Sequence, residues 1–151
     1  MAPKRPDFAE NVIGDDNVAL EGYSPVSIAH GKPTLGKEDI TTTEGGIKYR
    51  FASEDELREF QQDPKRYIPA FGGWCAWHMY ENEKMLPDYG HCKKAESGAE
   101  LLFHADAEVN CLAIWNEAAG KLGEQQLMNR AEQNWQHYRE AHGRGDNPEE
   151  A

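Results

Sequence analysis

Side chains able to bind a metal ion or to act as nucleophiles are concentrated between residues 67 and 92 of the 151-residue chain. Cys75 and His78 are three residues apart, a spacing that places both side chains on one face of a helix. His91 and Cys92 follow, so the stretch offers four nitrogen and sulfur donors, the types that zinc and copper prefer. We therefore expect a zinc or copper site centred on Cys75 and His78. His91 and Cys92 are its further candidate ligands.

The same stretch also supports a thiol-redox function, with Cys75 as the nucleophile. Cys75 follows two glycines and a tryptophan, and the dipole of a helix that begins there would lower its thiol pKa. His78 would stabilise the thiolate or act as a base, and Cys92 would be the resolving cysteine if the intervening loop folds back. In a third interpretation Cys75 is inert and packs as a small apolar side chain in a scaffold or interaction domain.

Two further groups lie outside this stretch. His104 closes the apolar run at residues 101–103 and could face the same pocket, although a lone histidine at a strand end more often has a structural role. Cys111 lies near the apolar stripe of a predicted helix, and we expect it to pack in the core.

The charge and the motif content of the sequence argue against several classes of binding partner and cofactor. Acidic residues outnumber basic ones by 27 to 16, and the formal net charge of −11 opposes binding to nucleic acid or an anionic membrane. Three cysteines, an odd number, exclude a complete disulfide framework. The sequence contains no phosphate-binding loop, His-Glu-x-x-His motif or nucleophile elbow, so we expect no nucleotide or organic cofactor and favour a non-enzyme. The expected partner is a metal ion or a small oxidant.

A single soluble domain is expected over residues 17–142, after an irregular arm over 1–16 and before a disordered tail over 143–151. No apolar run approaches the roughly 20 residues that span a bilayer. Basic residues near the N-terminus are not followed by the apolar segment of a signal peptide. The expected location is the cytoplasm if Met1 is the native start, and the periplasm or the cell exterior if a signal peptide has been removed.

The clearest predicted element is a hairpin over residues 40–52. Residues 41–43 are threonines, and Gly45 and Gly46 tolerate the positive φ of a turn. Residues 47–51 alternate apolar and charged side chains, which predicts a strand with one buried face.

Helices are predicted on either side of the Cys75 segment. Ser53 and Glu56 form a capping box that begins a helix, and this helix ends near Asp63 because a proline follows. Residues 67–80 are expected to be partly helical, and residues 82–98 to be loop.

The C-terminal half is predicted to contain a short buried strand at residues 101–103 and two helices, the first capped by Asp106. Both helices have apolar stripes at steps of three and four residues. The stripes are Val109, Leu112, Trp115, Ala119 and Leu122, and then Leu127, Ala131, Trp135, Tyr138 and His142.

These elements predict an α+β domain in which a small antiparallel hairpin sheet is packed by helices, two of them C-terminal. Cys75 and His78 are expected to point into a pocket with aromatic walls, because the hairpin, the Cys75 segment and the helix with Trp115 can bury their apolar surfaces together. The expected wall residues are Tyr49 or Phe51 from the hairpin and Phe103 or Trp115 from the C-terminal half.

A series of spaced motifs occurs in one order between residues 18 and 136. They are Gly22-Tyr-Ser-Pro-Val26, Gly31-Lys-Pro33, Tyr49-Arg-Phe-Ala-Ser53, Phe60, Asp63-Pro64, Tyr67, Gly72-Gly-Trp-Cys-Ala76, residues 102–115 and Asn134-Trp135. Together they resemble the YHS domain-containing proteins. The resemblance implies a small α+β domain around a hairpin and a helix, related to the treble-clef, TRASH-like metal-binding modules. It also implies an association with heavy-metal handling.

The resemblance further implies a reactive chalcogen at Cys75, because the matching position in relatives can be a selenocysteine. The chain departs from the family pattern in two ways. No histidine lies beside Tyr49, where the Tyr-His-Ser string of the family name would place one, and the paired cysteines of metal-binding members are absent around the hairpin. Metal ligands in this chain must therefore come from other residues.

Overall fold

The computed structural model describes residues 10–13 and 17–140, so the predicted tail over 143–151 and most of the predicted arm lie outside the described residues. Within these ranges no helix is both long enough and apolar enough to cross a bilayer. The strands are β1 (Val12–Ile13), β2 (Val18–Ala19), β3 (Lys37–Glu44), β4 (Ile47–Phe51), β5 (Asp88–Lys94) and β6 (Glu100–Phe103). The helices are α1 (Pro25–Ala29), α2 (Glu54–Gln62), α3 (Pro64–Tyr67), α4 (Ala76–Tyr80), α5 (Cys111–Leu122) and α6 (Glu124–Tyr138). These elements confirm the α+β class.

The predicted hairpin is part of a four-stranded sheet with the strand order β1-β2-β4-β3. β3 and β4 are antiparallel, and Thr42 pairs with Tyr49. β2 runs parallel to β4, and β1 is antiparallel to β2. Ile47, Tyr49 and Phe51 are buried and alternate with partly exposed residues, so β4 has the single apolar face that its sequence predicts.

Two residues of the predicted irregular arm, Val12 and Ile13, form β1 of this sheet, and the preceding Asn11 is also fixed by contacts. Asn11 is buried, and its backbone N–H donates to the Gly72 carbonyl at 2.9 Å. Its side-chain amide donates to the Gly73 carbonyl at 3.1 Å and to the Tyr89 hydroxyl at 3.0 Å. These partners are distant in the chain, which is why local sequence patterns did not indicate the contact. The contact ties the start of the chain to the turn that precedes Cys75.

Ser53 caps the N-terminus of α2 as predicted, but Glu56 does not make the contact predicted for it. Ser53 accepts the backbone N–H of Glu56 through its side chain at 3.2 Å. Glu56 does not complete the reciprocal half of the capping box; its carboxylate accepts the N–H of Ala52 at 2.9 Å and the hydroxyl of Ser24 at 2.7 Å. Because Ser24 is the N-cap of α1, Glu56 joins the starts of two helices.

The expectation that residues 82–98 form a loop is wrong, because β5 lies within this range. β5 is antiparallel to β6, and the pairing shifts register between Asp88 and Cys92. Pro87 and Gly90 are typical loop residues, but pairing with a fully buried neighbour strand holds the segment extended.

β6 contains the predicted buried strand and separates two hydrophobic cores. Successive side chains of a strand point to opposite faces, so Leu101 and Phe103 enter one core and Leu102 enters the other. The helical core consists of Phe71, Cys75, Ala76, Met79, Ala95, Leu101, Phe103, Cys111, Trp115, Leu127, Ala131 and Trp135. The hairpin core consists of Ala19, Leu20, Val26, Ile28, Ile47, Tyr49, Phe51, Phe60, Tyr67, Tyr89 and Leu102.

Helix α5 begins later than predicted. Asp106 does not cap it; the carboxylate accepts the backbone N–H groups of Glu108 and Val109, at 2.8 Å each, in a preceding turn. Asn110 is the N-cap, and its side chain accepts the N–H of Ala113 at 3.1 Å. The later start follows from two competing polar caps four residues apart, of which the second is used.

The buried face of α5 therefore differs from the predicted stripe. Cys111 and Trp115 are buried, whereas Val109 and Leu122 are exposed. On α6 the stripe of Leu127, Ala131 and Trp135 is buried as predicted, and His142 lies outside the described residues. Cys111 packs in the helical core, as its position near the apolar stripe predicts.

Glu124, at the start of α6, connects α5, α6 and the β5 segment. Its carboxylate accepts the indole N–H of Trp115 at 2.9 Å and the backbone N–H of Glu96 at 3.0 Å, and it pairs with Lys93 at 3.0 Å. Burial alone would raise the pKa of Glu124, but the hydrogen bonds from Trp115, Glu96 and Lys93 hold it below its ordinary value. The ionised form of Glu124 therefore stabilises the folded state.

We expect Glu124→Gln to lower the free energy of unfolding by about 1.5–3 kcal/mol at pH 7, the typical contribution of hydrogen bonds to a charged group. Because the folded pKa is depressed, this contribution is complete above the ordinary glutamate pKa of about 4.3 and is lost as pH falls through the folded value. Denaturant unfolding of both proteins across this range measures the difference, which should shrink towards low pH. Glu117→Gln on α5, whose side chain is well exposed, is the matched control and should change little. If the free energy of unfolding differed between the two proteins by the same amount at every pH, the stabilising role of the ionised Glu124 carboxylate would be contradicted.

Candidate functional site

Cys75 lies at the junction of β6, α4 and the segment before β5. It is the N-cap of α4, and it forms a parallel bridge with Leu102 of β6. Its backbone N–H donates to the Met85 carbonyl at 2.9 Å, and its carbonyl accepts the N–H of Met79 at 3.0 Å. The thiol is fully buried in the helical core. Backbone contacts from three directions thus hold the position of this cysteine.

The turn before Cys75 is tightly constrained. Phe71, Gly72 and Gly73 all have positive φ, at 58°, 63° and 86°. A Cβ atom at Gly72 would lie 2.4 Å from the indole of Trp135, so only glycine fits between this turn and α6. The double glycine therefore allows the chain to turn beneath α6 and enter α4 at Cys75.

Three donor groups converge at this point. One donor atom each of Cys75, His78 and Cys111 lies within 4.8 Å of the others. Cys75 and His78 are brought together by α4, as their spacing predicts, and Cys111 is contributed by the first residue of α5. Ligand atoms around a tetrahedral zinc ion are roughly 3.3–3.8 Å apart for bonds of about 2.0–2.3 Å, so modest side-chain rotation brings the three groups to binding distance.

His104 borders this group. Its ring centroid is 5.8 Å from that of His78, in an edge-to-face arrangement. His104 Nε2 lies 3.1 Å from a carboxylate oxygen of Asp106, and its carbonyl accepts the backbone N–H of Cys111 at 3.0 Å. His104 therefore both positions the start of α5 and presents a second imidazole beside His78.

The structure does not bring His91 or Cys92 to this group. Both lie on β5, where the Cys92 thiol donates to the Ile28 carbonyl at 3.6 Å and packs against the hairpin core. His91 Nδ1 contacts the Asp88 carboxylate. Among the described residues, neither belongs to a cluster of three or more metal-binding side chains. The third donor beside Cys75 and His78 is Cys111.

Burial and nearby charges act on the Cys111 thiol. Burial raises the pKa of the Cys111 thiol to about 12, and the nearby Cys75, Glu81 and Asp106 act in the same direction. Cys111 is thus a neutral thiol at pH 7 in the metal-free protein. Binding of a metal ion requires the thiolate, so it would release a proton.

Glu83 contacts His78 on the solvent side of the site. Its carboxylate lies 3.2 Å from Nδ1 of His78. A carboxylate at one imidazole nitrogen orients the ring and leaves the other nitrogen, here Nε2, for a metal ion. The Asp106 carboxylate stands in the same relation to His104, where Nδ1 is the remaining nitrogen. Both histidines therefore have the carboxylate partner that is common for metal-binding imidazoles.

No family model, curated protein or solved structure matches this chain. Membership in the YHS domain-containing proteins therefore stays a prediction from the spaced motifs.

Of the expected aromatic wall residues, only those from the C-terminal half lie with Cys75. Phe103 and Trp115 pack in the helical core with Cys75, and their ring centroids are 5.6 Å apart. Tyr49 and Phe51, the expected walls from the hairpin, lie in the hairpin core instead. β6 stands between the two cores, which is why the hairpin aromatics do not reach Cys75.

A cavity of about 750 Å³ lies elsewhere, between the four-stranded sheet and α6. Its lining includes Ile47, Tyr49, Phe71 and Trp135, but none of the three converging donors. This cavity is therefore separate from the donor group around Cys75.

Sequence patterns identify two residues of the site only in part. They allow His104 to face the pocket while favouring a structural role, and they place Cys111 in the core, where it is buried, without indicating that it lies beside Cys75. Both residues lie close in sequence to Asp106, an acidic residue that can orient a histidine two residues before it, and this position is the sequence signal that could have identified them as site residues. That signal is weak without knowledge that Cys111 begins a helix.

Proposed function

We propose that this protein is a metal-binding module whose zinc or copper ion is held by Cys75, His78 and Cys111. The observation that carries the proposal is the convergence of these three donors within 4.8 Å from two separate helices. Two thiolates and an imidazole are a donor set that zinc and Cu(I) prefer over oxygen-seeking ions such as magnesium or calcium.

His104 is the best placed neighbour for a fourth ligand. Its ring lies next to His78, and Asp106 would orient it. Two cysteines and two histidines form a closed tetrahedral set, which is typical of structural or storage sites rather than of catalytic ones. This donor set supports a non-enzymatic role. The resemblance to YHS domain-containing proteins, a family associated with heavy-metal handling, supports the same chemistry.

Protein expressed without a histidine tag should contain close to one equivalent of zinc or copper by elemental analysis. Metal-free protein should gain stability on addition of the ion, by about 2.7 kcal/mol when the free ion is at 100 times its dissociation constant. Thermal unfolding with and without Zn²⁺ or Cu⁺ measures this gain. A metal-free protein whose melting temperature ignores both ions would overturn the proposal.

A thiol-redox function is the second candidate, and the pairing of Cys75 with Cys111 favours it. Oxidation by a hydroperoxide would join their sulfurs in a disulfide, while the two thiol protons and two electrons pass to the peroxide, which leaves as water and an alcohol. In this scheme the resolving cysteine is Cys111 rather than Cys92. Complete burial of both thiols and the raised pKa of Cys111 oppose fast reaction, so we favour the metal site.

Alkylation of the native protein at neutral pH separates the two candidates. A redox thiol at Cys75 should react before Cys92, which is only partly buried. In a metal site, Cys75 and Cys111 should react only after the ion is removed or the protein is unfolded. If the protein binds no ion and Cys75 reacts only on unfolding, both chemical functions are excluded, and the scaffold interpretation is the one that remains.

A further inference from the structure

His78 belongs to two donor clusters, not one. Besides the inner group with Cys75 and Cys111, His78 has a ring nitrogen within 4.8 Å of carboxylate oxygens of Glu81 and Glu83, which are themselves within that distance of each other. The side chains form a gradient of burial: Glu83 is 66% exposed, His78 is 18% exposed, and both cysteines are fully buried. Among the described residues, His78 is thus the one shared by a solvent-facing oxygen set and a buried sulfur set.

The outer set is held in place by backbone contacts. The chain after α4 turns back at Asn82, which has a φ of 70°, and the N–H of Glu83 donates to the His78 carbonyl at 2.8 Å. Helix α6 fixes this turn, because the Tyr138 hydroxyl donates to the Asn82 carbonyl at 2.8 Å. The Asn134 amide donates to the Met79 carbonyl, also at 2.8 Å. The two carboxylates are therefore presented on a folded turn rather than on a free loop.

We propose that Glu81, His78 and Glu83 form a capture site that takes a divalent cation such as Zn²⁺ from solvent and passes it to Cys75 and Cys111. This inference rests on the proposed metal-binding function and adds the route of the ion. Carboxylate and imidazole donors bind Zn²⁺ but are poor ligands for Cu⁺, so a route of this kind favours zinc as the ion that is loaded.

Transfer exchanges ligands and changes no oxidation state. The bonds from the ion to the Glu81 and Glu83 oxygens break and bonds to the two sulfurs form, while the His78 imidazole is a ligand both before and after the transfer. Each thiol loses its proton to solvent as it becomes a thiolate ligand. Because His78 belongs to both clusters, the outer and inner sets are adjacent.

The test is the rate of metal loading in Glu81→Gln. Metal-free protein is mixed with Co²⁺, and the thiolate-to-metal charge-transfer absorbance follows the arrival of the ion at the cysteines in a stopped-flow instrument. Zn²⁺ competition then gives the corresponding rates for zinc. Glu81 is chosen because Glu83 also orients His78, so its replacement would alter two functions. Glu38→Gln is the control, because it removes the same charge from an exposed position on β3.

The expected result is a roughly tenfold lower association rate constant in Glu81→Gln, the lower end of the rate gain from charged clefts, with the dissociation rate lowered in proportion. Glu38→Gln should load at the wild-type rate. At about 1 M salt, where charges are screened beyond roughly 3 Å, the difference should persist, because a ligand acts at contact distance.

Three results would overturn the capture site alone. Glu81→Gln could load metal at the wild-type rate, Glu38→Gln could be slowed as much as Glu81→Gln, or the rate difference between Glu81→Gln and the wild type could vanish at high salt. A wild-type protein that takes up no ion would instead overturn the proposed function, and the capture site with it.

Discussion

Cys111→Ser is expected to abolish tight metal binding, while Cys92→Ser retains it. Cys111 provides one of the three converging donors, and a serine hydroxyl is a far poorer ligand for zinc or Cu(I) than a thiolate. The loss of affinity should exceed the roughly 10- to 100-fold that follows removal of an outer partner of a metal site. Competition with a chromophoric chelator measures the dissociation constant of each protein.

The choice of Cys92→Ser as the control makes the comparison sharp. Both substitutions replace one sulfur by oxygen, but Cys92 lies on β5 against the hairpin core and contacts the Ile28 carbonyl. Cys111→Ser also buries a hydroxyl, which costs about 1–3 kcal/mol if it finds no partner, so Cys111→Ala serves as a second variant without that hydroxyl. If Cys92→Ser lost the ion and both Cys111 variants kept it, the ligand set centred on Cys111 would be wrong.

Trp115→Ala is expected to lower the free energy of unfolding by about 3–5 kcal/mol, the usual range for deleting a large buried aromatic side chain. Trp115 is the largest of the fully buried side chains. It packs edge-to-face on Phe103 at 5.6 Å and donates its indole N–H to Glu124, so its removal opens a cavity and takes one of three hydrogen-bonding partners from a buried carboxylate. Denaturant unfolding followed by circular dichroism measures the loss.

Trp77→Ala is the matched control, because Trp77 is only partly buried and stacks on Tyr80 with ring centroids 5.1 Å apart. It should cost clearly less than Trp115→Ala. If Trp115→Ala does not fold, Trp115→Phe keeps most of the volume and removes the hydrogen bond to Glu124 together with one ring of the indole, with an expected cost of about 1–3 kcal/mol. A cost for Trp115→Ala no greater than for Trp77→Ala would contradict the central place of Trp115 in the helical core.

Local sequence patterns are sufficient to predict the hairpin and the start of the helix that follows it. The alternation of Ile47, Tyr49 and Phe51 requires one buried face, and β4 has it. Gly45 and Gly46 adopt the positive φ that the turn needs, and Ser53 accepts the N–H of Glu56. In each case the cause and the structure lie within a few residues, so no distant contact has to be known.

Local sequence patterns also predict that Cys75 and His78 lie together. Their spacing corresponds to nearly one turn of α4, and the structure places both in one donor group.

Prediction from local patterns fails for β5, where Pro87 and Gly90 indicate a loop and only pairing with β6 makes a strand. It fails again on α5, where Asp106 and Asn110 both have the side chain of an N-cap and packing decides between them.

Only the tertiary structure decides the third donor of the site. Cys111 reaches Cys75 because β6 bridges Cys75 on one side and leads through His104 to the start of α5. His91 and Cys92 are nearer in sequence, yet pairing of β5 with β6 keeps them away from the donor group around Cys75. Strand register determines which side chains face which core, and a shift of one residue would reverse them. Register depends on long-range hydrogen bonds and burial, and the spacing of residues along the chain does not specify these.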